Sequence, residues 1–145
     1  MFQRLIFLLA AFAVCPLLPL AGEGVNAVFA PDQVEFFEKR IRPVLAENCY
    51  DCHGGHKHEN GLRVDLRAAL LKGGDYGKVV EPGNPAASKL IKAISHAPGV
   101  EPMPKKGDKL KPEQIADLEK WIAMGLPWPV EKESAQTHQP DWKRH

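Results

Sequence analysis

Cys49-Tyr50-Asp51-Cys52-His53 is the stretch on which the reading of this chain turns. Two cysteines separated by two residues, with a histidine directly after the second, form the pattern of covalent haem attachment. The spacing has a mechanical basis. On one helical turn the two thiols reach the two vinyl groups along one edge of a porphyrin and form thioethers, while the adjacent imidazole comes under the iron. Cys49 and Cys52 are therefore the expected anchors of one haem c, and His53 is the expected proximal iron ligand. Two other chemistries use part of the pattern. A Cys-x-x-Cys pair serves as a redox-active disulfide in a strand-then-helix context, which the flanking residues do not supply. A zinc site needs two further ligands; His56 and His58 are candidates, but they crowd so closely behind His53 that tetrahedral closure is awkward.

Outward from this turn the pattern is helical. Val34, Phe37, Ile41, Val44 and Leu45 recur at spacings of three and four, and Pro31-Asp32 stands where a helix start is expected. Pro43 is expected to kink this helix or split it. Gly54 to Asn60 reads as a loop. Asp65 is placed to cap a short helix over Leu66 to Lys72, which Gly73-Gly74 ends with a left-handed backbone. Asn84-Pro85 repeats the cap-plus-proline start, for a helix whose apolar face is Leu90, Ile91 and Ile94. After a Pro-, Gly- and Lys-rich loop from Ala97 to Lys111, Pro112 opens a last helix with Ile115, Leu118, Trp121 and Ile122 on one side, closed by Gly125. No alternating run is long enough for a strand. The expectation is an all-α domain in which Trp121 meets Phe37 where the first and last helices cross.

The second face of the iron needs a ligand from elsewhere in the chain. Met103 is the expected distal ligand: it sits in an irregular loop about fifty residues after His53, between Pro102 and Pro104, which stiffen the backbone presenting its sulfur. A thioether is a soft donor that favours ferrous iron and raises the potential, as an electron carrier requires. His96, seven residues earlier, is the rival distal ligand. Met124, near the end of an amphipathic helix, suits core filling, and His138 and His145 fall in a polar tail. Arg63 or Lys105 is placed to pair with a haem propionate, although solvation is the default for both.

The 145 residues leave room for one small domain. Arg4 and the apolar run Leu5 to Leu20, broken by Pro16 and Pro19, read as a signal peptide rather than a membrane span. Cleavage after Val25-Asn26-Ala27 is preferred to cleavage after Val28-Phe29-Ala30, because Pro31 follows the second site; an uncleaved anchor is the alternative. The expected layout is a signal peptide over 1–27, a domain over 31–130 and a flexible polar tail over 131–145. Cys15 leaves with the peptide. What remains is one close pair of thiols in a chain bound for an oxidising compartment, where small domains usually carry several disulfides. A large apolar cofactor is another way to supplement a modest core. The formal net charge of +1 survives loss of Arg4 and Glu23 together, and no basic stripe interleaves with aromatics, so nucleic acid is not an expected partner.

Taken in order, these residues resemble the cytochrome c domain of the planctomycete type, a relative of class I cytochromes c. The matching pieces run from about Phe36 to Pro129. They are Ile41-Arg42-Pro43-Val44-Leu45 leading into Cys49 to Gly54, Gly61-Leu62-Arg63-Val64-Asp65, Gly73-Gly74, Pro82-Gly83-Asn84-Pro85, Ser88-Lys89-Leu90-Ile91, Met103-Pro104, and Trp121-Ile122 to Gly125 with Pro127-Trp128-Pro129. The resemblance implies an all-helical fold around one covalent haem, with the methionine of a Met-Pro-Pro motif as distal ligand, a role that falls on Met103. Here Lys105 stands where a second proline is usual, which implies a looser distal loop.

The function this implies is electron transfer by a mono-haem cytochrome, exported to the periplasm or the outer side of the cytoplasmic membrane. Redox proteins are its partners and no small-molecule substrate is expected; membrane contact arises only if the signal peptide is retained. The chain is then a carrier and not an enzyme. Two other classes stand beside it: a haem-based gas sensor or peroxidase-like enzyme in which the Met103 bond opens, and a docking module in which haem chiefly stabilises a binding surface.

Overall fold

Pro31 and Pro112 start two helices in the same way. Each proline occupies the first helical turn, where its missing N–H costs nothing, an acidic residue follows, and a glutamine two places on reaches back to the residue before the proline. Gln33 Oε1 accepts from the Ala30 N–H at 3.1 Å, and Gln114 Oε1 from the Lys111 N–H at 2.9 Å. The structure is a computed structural model that describes residues 28–130. The expected signal peptide (1–27) with Cys15, and the tail (131–145) with His138 and His145, lie outside the described residues.

The first helical stretch is α1 (Pro31–Phe36), a π-helical turn (Phe37–Ile41) and α2 (Arg42–Asn48). Pro43 splits the helix as expected, and the π turn is the means. A proline in a continuous α-helix clashes with the carbonyl four residues back and forfeits a hydrogen bond. Widening the preceding turn, so that the Arg42 N–H reaches the Phe37 carbonyl, restarts the helix with Pro43 in its first turn. The short α3 (Tyr50–His53) follows, then a single 3-10 turn (Glu59–Gly61), α4 (Arg67–Lys72), α5 (Lys89–Ile94) and α6 (Pro112–Ala123). Among the described residues there is no strand, only two isolated bridges, His53 with His58 and Gly74 with Gly77. The fold is all-α. No described helix is long and apolar enough to cross a membrane.

Two helix starts differ from expectation. Asp65 does not cap α4, because its carboxylate is taken by the fork of Arg63, at 3.0 and 2.8 Å, and Leu66 stands uncapped at the boundary. Asn84-Pro85 opens a turn rather than a helix. Asn84 Oδ1 accepts from the Ala87 N–H at 3.1 Å and its carbonyl from Ser88 Oγ at 2.9 Å, so α5 begins only after the buried Ser88. Gly73 ends α4 with φ +82, as expected of a glycine there.

The core gathers Phe37, Ile41, Val44 and Leu45 from the first stretch with Leu118, Trp121 and Ile122 from α6. Phe37 and Trp121 meet as expected, with ring centroids 5.8 Å apart. Trp128 completes a triad, 4.2 Å from Phe37 and 5.9 Å from Trp121. It is brought there by the end of α6. The Gly125 N–H bonds the Ile122 carbonyl and the Leu126 N–H the Trp121 carbonyl, a Schellman ending that folds the chain back over the helix. Trp121 Nε1 donates to the Pro127 carbonyl at 2.8 Å and ties the returning strand of chain down. Arg67 closes the arrangement from α4: its guanidinium, buried, donates to the Leu126 and Gly125 carbonyls at 3.0 and 3.3 Å.

Candidate functional site

The hydrogen bonding of α2 runs into the cysteine turn. The Cys49 N–H donates to the Leu45 carbonyl at 2.9 Å, and the Cys49 carbonyl then accepts from Cys52 at 3.2 Å and from His53 at 2.8 Å. Cys49, Cys52 and His53 thus share one closed turn built on a helix that the core holds at Val44 and Leu45. The backbone leaves the turn through Gly54, where a Cβ would lie 2.5 Å from the Tyr50 carbonyl oxygen; only glycine fits without a shift. The chain then loops back until the Val64 N–H donates to the His53 carbonyl at 2.8 Å. His56 and His58, on that loop, are exposed.

Both cysteines are free thiols and half-buried. Cys49 packs against the core, and burial pushes its thiol up to about 11, so it is protonated at neutral pH. His53 Nδ1 is buried without a hydrogen-bond partner among the described residues, and the buried hydroxyl of Tyr50, inside the motif, has the Arg42 guanidinium beside it. Burial also pushes the Tyr50 hydroxyl above its usual range. Unpaired buried polar atoms are uncommon and mark places where a further group belongs. Among the described residues no three His, Cys, Asp or Glu side chains form a group able to hold a metal ion. A haem asks for something else of the protein: two thiols on one edge and one imidazole, which this turn has.

Met103 is half-buried and packs against the same apolar cluster as Cys49 and Tyr50. Its N–H donates to the Ala93 carbonyl at 3.1 Å, and its carbonyl lies 3.1 Å from His96 Nε2. His96 is exposed. The two distal candidates are therefore in contact with each other at the end of α5. Met124 is half-buried at the end of α6. Arg63 is engaged by Asp65, and exposed Lys105 stands 3.7 Å from Glu101. Reading the sequence missed the buried Tyr50 hydroxyl, the buried Arg67 and the bond from His96 to Met103. The first follows the motif's spacing; the other two join residues through the fold and leave no local signal.

Residues 49–107 match the family model described as planctomycete cytochrome C, a span that opens on Cys49 and closes just past Met103. The resemblance visible from Phe36 to Pro129 extends beyond that span on both sides. No curated protein and no solved structure matches the chain. The cysteine turn and the all-helical frame agree with this match, which supports a cytochrome c domain of the planctomycete type over residues 49–107.

Proposed function

We propose that this chain is a mono-haem electron carrier that works outside the cytoplasm, with haem c attached through Cys49 and Cys52, His53 as proximal ligand and Met103 as distal ligand. A cytochrome c domain binds haem and transfers electrons; the haem count, the ligand set and the compartment are what the proposal adds. The observation that carries it is the single turn holding two free thiols and an imidazole whose Nδ1 is buried and unpaired.

When bound, the haem supplies a one-electron couple between ferrous and ferric iron. The chain's own residues do the rest. Cys49 and Cys52 fix the cofactor's edge, and His53 is aimed by the turn that carries it. The redox-disulfide alternative calls for a strand-then-helix context, and among the described residues the pair instead follows a helix, with no strand. Met103 is tethered at both polar groups of its own backbone, which supports a fixed ligand rather than a labile one. The apolar run before Ala27 supports export, and redox proteins that meet the haem edge are the partners this function requires.

Maturation of the full chain with a haem-attachment system tests the reading. The expected product is coloured, heavier than the processed chain by one haem, low-spin in both oxidation states and indifferent to carbon monoxide when ferrous. A colourless product with the mass of the polypeptide alone sinks it. Haem attachment with rapid carbon monoxide binding would transfer the chain to the sensor or peroxidase class.

A further inference from the structure

The end of α5 carries a residue that its backbone alone does not call for. The His96 N–H bonds the Ala93 carbonyl at 3.1 Å and the Ala97 N–H the Lys92 carbonyl at 2.9 Å, the two bonds of a Schellman ending. That ending puts the residue after the cap in the left-handed region, and His96 has φ +56. Glycine is the default there, and the same ending after α6 uses Gly125, at φ +85. Histidine tolerates the conformation better than most residues, yet its β-carbon carries a cost that glycine avoids.

What glycine lacks is the ring. His96 Nε2 lies 3.1 Å from the Met103 carbonyl oxygen. A carbonyl only accepts, so Nε2 carries the proton and donates it, leaving the lone pair on Nδ1. The Ala93 carbonyl, already part of the helix ending, also accepts the Met103 N–H at 3.1 Å. One helix end therefore grips both polar groups of the Met103 backbone, through its own backbone on one side and through an imidazole on the other. The residues around this grip, Glu101, Pro102 and Lys105, are exposed and add no burial of their own.

We propose that His96 is a positioning residue for Met103: by holding the Met103 carbonyl it fixes the backbone that presents the thioether, and so keeps the sulfur on iron in both oxidation states. The inference rests on Met103 being the distal ligand. It also reassigns His96, because a ring whose Nε2 donates to a carbonyl does not offer that nitrogen to iron.

The test compares the haem-loaded full chain with its His96→Gly and His96→Gln variants. Glycine suits the left-handed position, so the helix ending survives and any effect belongs to the ring. Glutamine carries an amide N–H at about the reach of Nε2. Two readouts decide: the far-red charge-transfer band of sulfur-ligated ferric haem, and the rate of carbon monoxide binding to the ferrous form. In His96→Gly the band should weaken and carbon monoxide binding should quicken about five-fold, the factor that one net hydrogen bond represents. His96→Gln should recover part of both, and thermal stability should not fall in His96→Gly. Wild-type spectra and rates in His96→Gly would overturn the inference while leaving the electron-carrier reading intact. A bis-histidine wild-type spectrum that opens in His96→Gly would also overturn it, since His96 would then be a ligand. Wild-type protein without attached haem would overturn the inference and the reading beneath it together.

Discussion

Replacing Arg67 with methionine tests whether the fold depends on a contact that spans the chain. The Arg67 side chain is buried, 7% exposed, and its guanidinium donates to the Leu126 carbonyl at 3.0 Å and the Gly125 carbonyl at 3.3 Å, with the Phe29 ring 5.0 Å away. Hydrogen bonds from a charged donor contribute about 1.5–3 kcal/mol each, and a buried carbonyl left without a partner costs a similar amount. Leu126 is fully buried, so its carbonyl takes the full penalty; the Gly125 bond is longer and less buried, and is weighted at about half. Methionine keeps most of the stem's packing, which leaves a loss of about 3 kcal/mol. In a domain of this size that lowers the melting temperature by roughly 12–24 °C. Urea unfolding of the haem-loaded protein, followed by far-ultraviolet circular dichroism, measures it. Arg67→Lys, which keeps the charge but not the fork, should fall between the two. A loss below about 1 kcal/mol in Arg67→Met would refute the reasoning, because it would mean that water reaches both carbonyls once the guanidinium is gone.

Met103→Ala should lower the midpoint potential by on the order of a hundred millivolts in a redox titration, since a thioether favours ferrous iron; an unchanged potential would remove Met103 from the iron. Haem-free protein should lose stability as pH rises from 9 to 11, because the folded Cys49 thiol, at about 11, keeps its proton above the ordinary value of 9.0. The stabilisation is complete below pH 9 and its loss is on the order of 2–3 kcal/mol; a thioether has no such proton, so urea midpoints of haem-loaded protein should not show this component. Gly73→Ala should be far more damaging than Gly77→Ala in thermal melts. Both have positive φ, but a Cβ at Gly73 would stand 2.3 Å from the Gly77 carbonyl oxygen, whereas at Gly77 it would meet nothing within 4 Å. Equal losses would show that the backbone around Gly73 yields freely.

Periodicity made the long apolar faces legible. Ile115, Leu118, Trp121 and Ile122 share one face of α6 and join the core, where Trp121 meets Phe37, because a 3.6-residue repeat leaves an amphipathic helix one way to bury itself. Short-range chemistry was less legible where two partners competed for one group. Asp65 has the residue type of a helix cap, but an arginine two places earlier offers it a charged fork, which is stronger than a backbone N–H. Asn84 likewise spends its side chain on a turn. Arg67 reads as a surface residue in any local window; only the folding of the α6 ending over α4, nearly sixty residues away in sequence, buries it. The cysteine turn is the reverse case. Its two thiols and imidazole lie within five consecutive residues, so the spacing alone carried the expectation of the site, although Leu45 and Val64 also bond the turn. Met103 and His96, competing candidates in the sequence, are brought into hydrogen-bond contact by the fold, a relation that no local window shows.

The packing suggests why a small domain without disulfides among its described cysteines suits an electron carrier. A ligand that moves between oxidation states slows electron exchange, so both sides of the iron need support that does not itself depend on the iron's charge. If Met103 takes the distal position proposed above, its support and that of the cysteine turn converge on α6. The cysteine turn hangs from α2, whose preceding π turn packs on α6 through Phe37 and Trp121; the Met103 backbone hangs from the end of α5, which packs on α6 as well. The cysteine side is buttressed by buried aromatic contact, whereas Met103, itself half-buried against the core, has its backbone held by two hydrogen bonds beside exposed residues. Buried aromatic contact resists local opening far better than solvent-facing hydrogen bonds do. The methionine side is then the weaker of the two, and a substitution at the end of α5 should reach the iron's chemistry well before it reaches the stability of the fold, whereas a substitution at Arg67 should do the opposite.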